Sequence, residues 1–125
     1  MKYKQTSVTS ASREKLLLMM FEGAIKFTKL AIRGAEEKKV PERCENIGRA
    51  FDIVLELNNT LDHKVGGEIS SQLEQLYMFV TDQYSKANLT GDIEPLKTAL
   101  KILENLYKGF AGAVEKIKKE SEKTK

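Results

Sequence analysis

The chain has 125 residues, 31% of them charged and 41% hydrophobic, with a formal net charge of +3 and no Trp. That length fits one domain over residues 1–125, and charges this mild and mixed lack the concentrated basic patch of a nucleic-acid binder. The longest apolar run is LLLMMF, Leu16 to Phe21, far short of the ~20 residues that span a bilayer, so no membrane insertion is expected.

The N-terminal stretch MKYKQTSVTSAS has no apolar segment of the signal-peptide kind. Residues 1–11 read as a flexible tail that carries Tyr3 and Val8. A first helix is predicted from about Ser12 to Lys38. Ser12 is placed to cap it, and Glu14 sits in the first turn, where the helix dipole favours an acid. Val40-Pro41 ends it. A second helix runs from Pro41, a residue suited to a first helical position, to about Lys64, with Gly66-Gly67 as its stop. A third runs from Glu68 to about Asn88. Thr90-Gly91 breaks it, and Asp92 can cap the next. The fourth runs from Ile93 to about Lys119, with Pro95 tolerated in its first turn. Residues 120–125 read as a frayed, solvated end. The connections are short, so neighbours should run antiparallel. The expected fold is all-α, an antiparallel up-down four-helix bundle.

Spacing at about 100° per residue assigns faces. On the first helix Leu16, Met20, Ala24, Phe27 and Ala31 share a stripe that should face the bundle. Leu18, Phe21, Ile25 and Ile32 form a second stripe to one side. Lys15, Glu22, Lys26, Lys29 and Arg33 mark the polar strip. The second helix has a seam of Ile47, Phe51, Val54, Leu61 and Val65, flanked by Ala50, Ile53 and Leu57. The third has Ile69, Leu73, Leu76, Val80, Tyr84 and Ala87. On the fourth, Leu96, Leu103, Phe110, Val114 and Ile117 face inward, with Ile102 and Leu106 to the side.

The first two helices therefore carry more apolar surface than one seam uses. A central helix touched on several sides accounts for this. So does a hydrophobic groove for a partner helix, lined by Leu18, Phe21, Ile25, Ile32, Ile53 and Leu57. The tail, with Tyr3 and Val8 on a polar leash, is a candidate cap for such a groove when it is empty, although an N-terminal tail is more often simply disordered.

No catalytic constellation is found. His63, the only histidine, is placed near a helix end and on a polar face with Glu56 and Asn59. A phosphotransfer histidine would instead sit exposed in mid-helix, so this enzyme alternative is the weaker one. Thr60, three residues before His63, removes the Glu-x-x-His pattern of carboxylate-bridged metal sites. One Cys and one His make no ordinary zinc site. Gly66-Gly67 lacks the Lys and Ser/Thr of a phosphate loop. The single Cys44 forms no internal disulfide, which suits a reducing cytoplasm. No cofactor and no metal are expected, and a binding protein is favoured over an enzyme.

Two stretches carry a resemblance. VTSASREKLLLMMFEGAIKF, Val8 to Phe27, and LELNNTLDHKVGGEIS, Leu55 to Ser70, resemble the flagellar secretion chaperone family of the FliS type. Ser12, Glu14, Lys15, Leu16, Gly23, Ala24 and Ile25 match the family's opening pattern. Arg13 stands where the family usually has Pro, and Phe21 and Glu22 stand for Tyr and Asp. The stretch LYMFVTDQYSKANLTGDIEPL follows the family layout from the third helix to the fourth. The family tail is often richer in tyrosine than this one. The resemblance implies a cytosolic four-helix bundle that binds the disordered C-terminal segment of flagellin. It implies protection of flagellin from premature polymerisation and help in presenting it to type III export gate components, without ATP. The free protein is expected to be a monomer or weak dimer. The alternative from another class is a regulatory helical bundle that binds a different helix or itself.

Overall fold

A computed structural model describes residues 10–123. Four helices follow one another: α1 (Ser10–Glu36), α2 (Val40–Asn59), α3 (His63–Thr90) and α4 (Glu94–Lys123). The tail residues Tyr3 and Val8 lie outside the described part. Helix α1 starts two residues before the expected Ser12, and α4 stays helical into the stretch expected to fray.

Side-chain pairs give the topology. An added Cβ on Gly23 of α1 would meet Ile53 of α2, and one on Gly34 would meet Arg43, so α1 and α2 run antiparallel. Arg43 donates to the Asn88 carbonyl at 3.2 Å, joining the start of α2 to the end of α3. Phe21 lies 5.3 Å from Phe110, centroid to centroid, while Lys29 pairs with Glu104 at 3.7 Å. Helices α1 and α4 are therefore antiparallel too. Each helix packs on two others, in the ring α1–α2–α3–α4–α1, with α1 against α2 the most extensive pairing. This is the up-down bundle that short connections require.

The corners are set by local chemistry. At the first, Lys38 takes a left-handed φ of 55° and the Lys39 N–H donates to the Gly34 carbonyl at 2.8 Å. Gly34 is needed here, because a Cβ would come within 2.8 Å of the Arg43 backbone nitrogen. At the third, Gly91 takes φ 76° and its N–H returns to Ala87, closing α3. The Asp92 carboxylate then accepts from the Glu94 N–H at 3.1 Å, as its position predicts.

The second corner departs from the sequence expectation. Helix α2 stops at Asn59, well before Gly66-Gly67. The Asp62 carboxylate accepts from the Lys64 and Val65 N–H groups, which starts α3 at His63. Gly67, with φ 51° and ψ −120°, then kinks α3 rather than ending α2. The stretch Asn58–Asp62 is turn chemistry that the helical spacing masked. His63 consequently opens a helix. It lies 3.6 Å from Glu74, across the kink.

The core consists of Phe21, Ala24 and Ala31 of α1, Ile47, Ala50, Val54 and Leu57 of α2, Tyr77, Val80, Tyr84 and Ala87 of α3, and Leu96, Ala99 and Leu103 of α4. Its centre holds one polar link. Thr28 Oγ1 donates to the Ala24 carbonyl at 2.7 Å. That uses its single hydrogen, so the Tyr84 hydroxyl donates to Thr28 Oγ1, also at 2.7 Å. The bond joins α1 to α3 across the bundle and satisfies the buried Tyr84 hydroxyl, which would otherwise be costly.

Burial raises both core tyrosines. Tyr77 is pushed up from 10.0 to about 12 by desolvation. Tyr84 is pushed up further by the same cause, against a smaller lowering from Thr28. An unfolded chain releases these protons first, so above the ordinary tyrosine value it binds fewer protons than the folded chain. Their contribution to stability is complete below pH ~10 and is lost as pH rises towards ~12. Thermal melts followed by circular dichroism should therefore show Tm falling over that window. Tyr84→Phe should reduce the slope while costing about 1 kcal/mol near neutral pH for the lost hydrogen bond.

Candidate functional site

Helix α1 has three faces. Its buried seam is Leu17, Phe21, Ala24, Thr28, Ala31 and Gly34, not the expected line from Leu16 to Ala31. The expected seam shared Ala24 and Ala31 with the real one but was centred too far to one side. Leu16 is exposed, and Met20 and Phe27 are only half-buried. The signal was hidden because Thr28, at the middle of the true seam, is polar. Only its hydrogen bond to Tyr84 makes that position a core position.

On each flank of this seam lies a groove. Between α1 and α4 a cleft of about 600 Å³ is floored by Ile25, Leu30 and Tyr107 and rimmed by Lys26, Lys29, Lys108, Glu22 and Glu104. Between α1 and α2 a smaller cleft of about 340 Å³ is lined by Met19, Met20 and Ile53, with Asp52 and Glu56 at its edge. Both are mainly apolar with charged margins, the form a docked amphipathic helix fits.

The structure divides the residues that spacing had grouped into one groove. Ile25 lines the α1–α4 cleft, and Leu18 and Ile32, two turns away on either side, continue its face along α1. Both are half-buried. Ile53 lines the α1–α2 cleft, where it faces Gly23. Ile25 and Ile53 are thus on opposite flanks of α1. Phe21 and Leu57 are not surface residues: each is 0% exposed and belongs to the core. Phe21 stacks at a tilt against Phe110 and Tyr77. These two corrections have one cause. A wheel orders residues around a single axis but does not say which arc the neighbouring helices cover.

Tyr107, Leu30, Lys108 and Glu104 were missed as groove residues. Leu106 is the residue that spacing places to the side of α4, and Tyr107, about 100° further round the helix, does not follow from it. Leu30 carried no signal either. The inward reading of α3 and of the end of α2 also changes. Val65 is 86% exposed and Ile69 68% exposed. The kink at Gly67 turns Val65 away from the α2 seam, and burial on α3 centres on Ser70, Leu73, Tyr77, Val80, Thr81, Tyr84 and Ala87. Ile117, expected inward, is exposed near the end of α4.

Chemically the clefts hold carboxylates, lysines and apolar side chains. Among the described residues no group of three or more His, Cys, Asp or Glu is arranged to hold a metal ion, and no helix is long and apolar enough to cross a membrane. Cys44 is free and half-buried beside Arg43. A ring of four helices with apolar grooves on its surface defines a helical binding protein.

Comparison with known proteins agrees with that class. The family model for flagellar protein FliS matches residues 1–117, so the chain belongs to the FliS family. It is 32% identical over 108 residues to the flagellar secretion chaperone FliS of Vibrio cholerae, covering 83% of this chain and 79% of that protein. It is 32% identical over 90 residues to the flagellar secretion chaperone FliS of Bacillus subtilis, covering 72% of this chain and 66% of that protein. It is 30% identical over 107 residues to that of Salmonella typhimurium, covering 85% and 79%.

The division between core and groove has a direct consequence for stability. Phe21→Ala and Leu57→Ala should each lower unfolding free energy by about 2–5 kcal/mol, the cost of cavities in a closed core. Ile25→Ala, whose side chain already meets solvent in the cleft, should cost roughly 1 kcal/mol. Urea denaturation of the three variants measures the difference.

Proposed function

We propose that this chain is a flagellar secretion chaperone that binds the disordered C-terminal segment of flagellin in the α1–α4 cleft. The observation that carries the reading is the Ile25–Leu30–Tyr107 floor, open to solvent beside half-buried Leu18 and Ile32, in a chain of the FliS family. A flagellin end is built to pack its helices inside a filament. Free of the filament it exposes an apolar stripe and self-associates. Covering that stripe keeps it monomeric until export. Lys26, Lys29 and Lys108 at the margin, against Glu22 and Glu104, give a rim that orients a client helix more than it holds it.

Binding orders the client, which costs ~2–5 kcal/mol of the gross interaction. That keeps the complex reversible, as release to the type III export gate requires. Ile53 with Met19 and Met20, in the second cleft, extends the surface available to a client that wraps around α1. Tyr3 and Val8 are proposed to cover apolar surface when no client is bound. The protein acts in the cytoplasm, without catalysis and without a cofactor.

Titration calorimetry with the C-terminal peptide of the host flagellin tests this. One-to-one binding with a negative heat-capacity change is expected, because apolar surface is buried. Ile25→Asp should weaken it by roughly tenfold or more, about 1.4 kcal/mol, with the helical circular dichroism unchanged. No binding at tens of micromolar sinks the reading. Loss of helix in Ile25→Asp would move Ile25 from the groove to the core.

A further inference from the structure

The outward side of α1 differs from its seam and its two flanks. Lys15, Met19, Lys26, Leu30 and Arg33 recur at helical spacing, which sets them on one line along the helix, opposite the buried seam. All five are exposed, Met19 at 57% and Leu30 at 36%. Basic and apolar side chains are thus interleaved on the surface, and Glu22 is the one acid of α1 close to that line.

Helix α4 widens the face. Lys97, Lys101 and Lys108 share a stripe with Glu104. Glu104 and Lys108 line the cleft together with Lys26 and Lys29, so that stripe lies beside α1. Glu104 is paired with Lys29 at 3.7 Å and Glu94 with Lys97 at 3.9 Å. Among the described residues no ion pair engages Lys15, Lys26, Lys101 or Lys108. Charge is divided the same way over whole elements. Helices α1 and α4 hold more Lys and Arg than acids, and α2 and α3 hold fewer. From Val65 to Ser85 there is no Lys or Arg at all. The ring order sets the α1–α4 side against the α2–α3 side, so the molecule is positive on one side and negative on the other.

The residue types select the occupant. A small anion needs donors that converge in a pocket, whereas these lysines spread along a convex strip. A single-stranded nucleic acid would use the cations, but it stacks its bases on aromatic rings. No aromatic residue stands on the outward line, and Met19 and Leu30 would have no role. An anionic lipid surface uses both kinds of residue. The lysines meet its headgroups, and the apolar side chains between them enter the boundary between headgroups and acyl chains.

We propose that the outward side of α1, with the adjoining lysine stripe of α4, is a peripheral docking face for an anionic bilayer surface. Helix α1 lies along the bilayer plane. Helices α2 and α3 are turned away, because the same surface potential repels their excess of acids. Asp52 and Glu56, beside Met19 on the α2 flank, mark where the face ends. The contact is shallow, reversible and sensitive to salt, since it rests on separate charges and two exposed apolar side chains. Lys26, Leu30 and Lys108 also belong to the cleft assigned to the client, but the lipid contact does not rest on that reading.

Co-sedimentation of the full chain with vesicles tests it. One set is phosphatidylcholine alone, and the other is equal parts phosphatidylcholine and phosphatidylglycerol. The wild type should bind the anionic set and not the neutral one, and more weakly at high salt. Lys26→Glu with Lys108→Glu should weaken binding roughly tenfold or more. Lys64→Glu with Lys86→Glu changes the net charge equally but lies on α3, and should bind within about threefold of the wild type. Met19→Ser with Leu30→Ser should weaken binding by roughly threefold or more, because apolar area is removed. Circular dichroism checks that each variant is folded. A wild type that ignores anionic vesicles at low salt overturns the proposal. Equal loss in the two charge variants overturns it too, since net charge alone would then explain the binding. So does a serine variant that binds like the wild type, because any polyanion would then satisfy the face. A single-stranded oligonucleotide that displaces the vesicles at equal charge concentration would make this a nucleic-acid face and overturn the lipid assignment. No flagellin peptide is present in this assay, so its outcome and that of the calorimetry are separate.

Discussion

The rotation of α1 about its own axis decides what the surface of this bundle can do. Two contacts hold that rotation. The Tyr84 hydroxyl bonds Thr28 inside the core, and Gly34 lets α1 approach the backbone of α2 at Arg43 without a Cβ between them. Between these points Ala24 and Ala31 keep the seam narrow, and Phe21 fills the layer shared with Tyr77 and Phe110. Turning α1 by a single position would break the buried hydrogen bond, leave the Tyr84 hydroxyl unpaired, and push a larger side chain against Arg43.

With the seam held there, the remaining apolar residues of α1 fall on both sides of it. Ile25 with Leu18 and Ile32 faces the α4 side, and Met19 and Met20 face Ile53 of α2. The run LLLMMF is thus divided among environments. Leu17 and Phe21 pack in or against the core, Met19 and Met20 border a cleft, and Leu16 and Met19 meet solvent. The surplus of apolar surface is partly a central helix and partly a groove. On the proposed reading, such partial burial suits a binding protein that must let go, because a half-covered isoleucine holds a partner through area alone and has no buried charge pair to break on release.

Much of this was legible in the sequence where chemistry is local. The Thr90-Gly91-Asp92 corner and the Val40-Pro41 corner follow from residues whose own φ, hydrogen-bonding capacity or lack of an N–H decides the outcome. Family membership was legible for a related reason, since its motifs lie in the first helix and around the second corner. The second corner itself was misplaced. Asn58, Asn59 and Asp62 offered a turn and a cap, but a run with helical spacing continued through them, and the glycine pair gave the more obvious stop. Thr28 and Ser70 were invisible as core residues. Each is buried because of a hydroxyl bond, to Tyr84 and Ala24 in one case and to the Asp62 carbonyl in the other.

By itself, then, the sequence determined four helices, most of their ends, their antiparallel order and the family they belong to. These rest on local preferences and on connections too short to allow another path. Only the tertiary structure decided which arc of each helix is covered. Phe21 and Leu57 went to the core, Ile25 and Ile53 to opposite flanks of α1, and Ile69 and Phe79 to the surface. The physical reason is that a helix exposes its side chains all round, and burial is conferred by whatever packs against it. That depends on the rotation and spacing of the neighbouring helices, which a hydroxyl pair and a missing Cβ set at the level of single atoms.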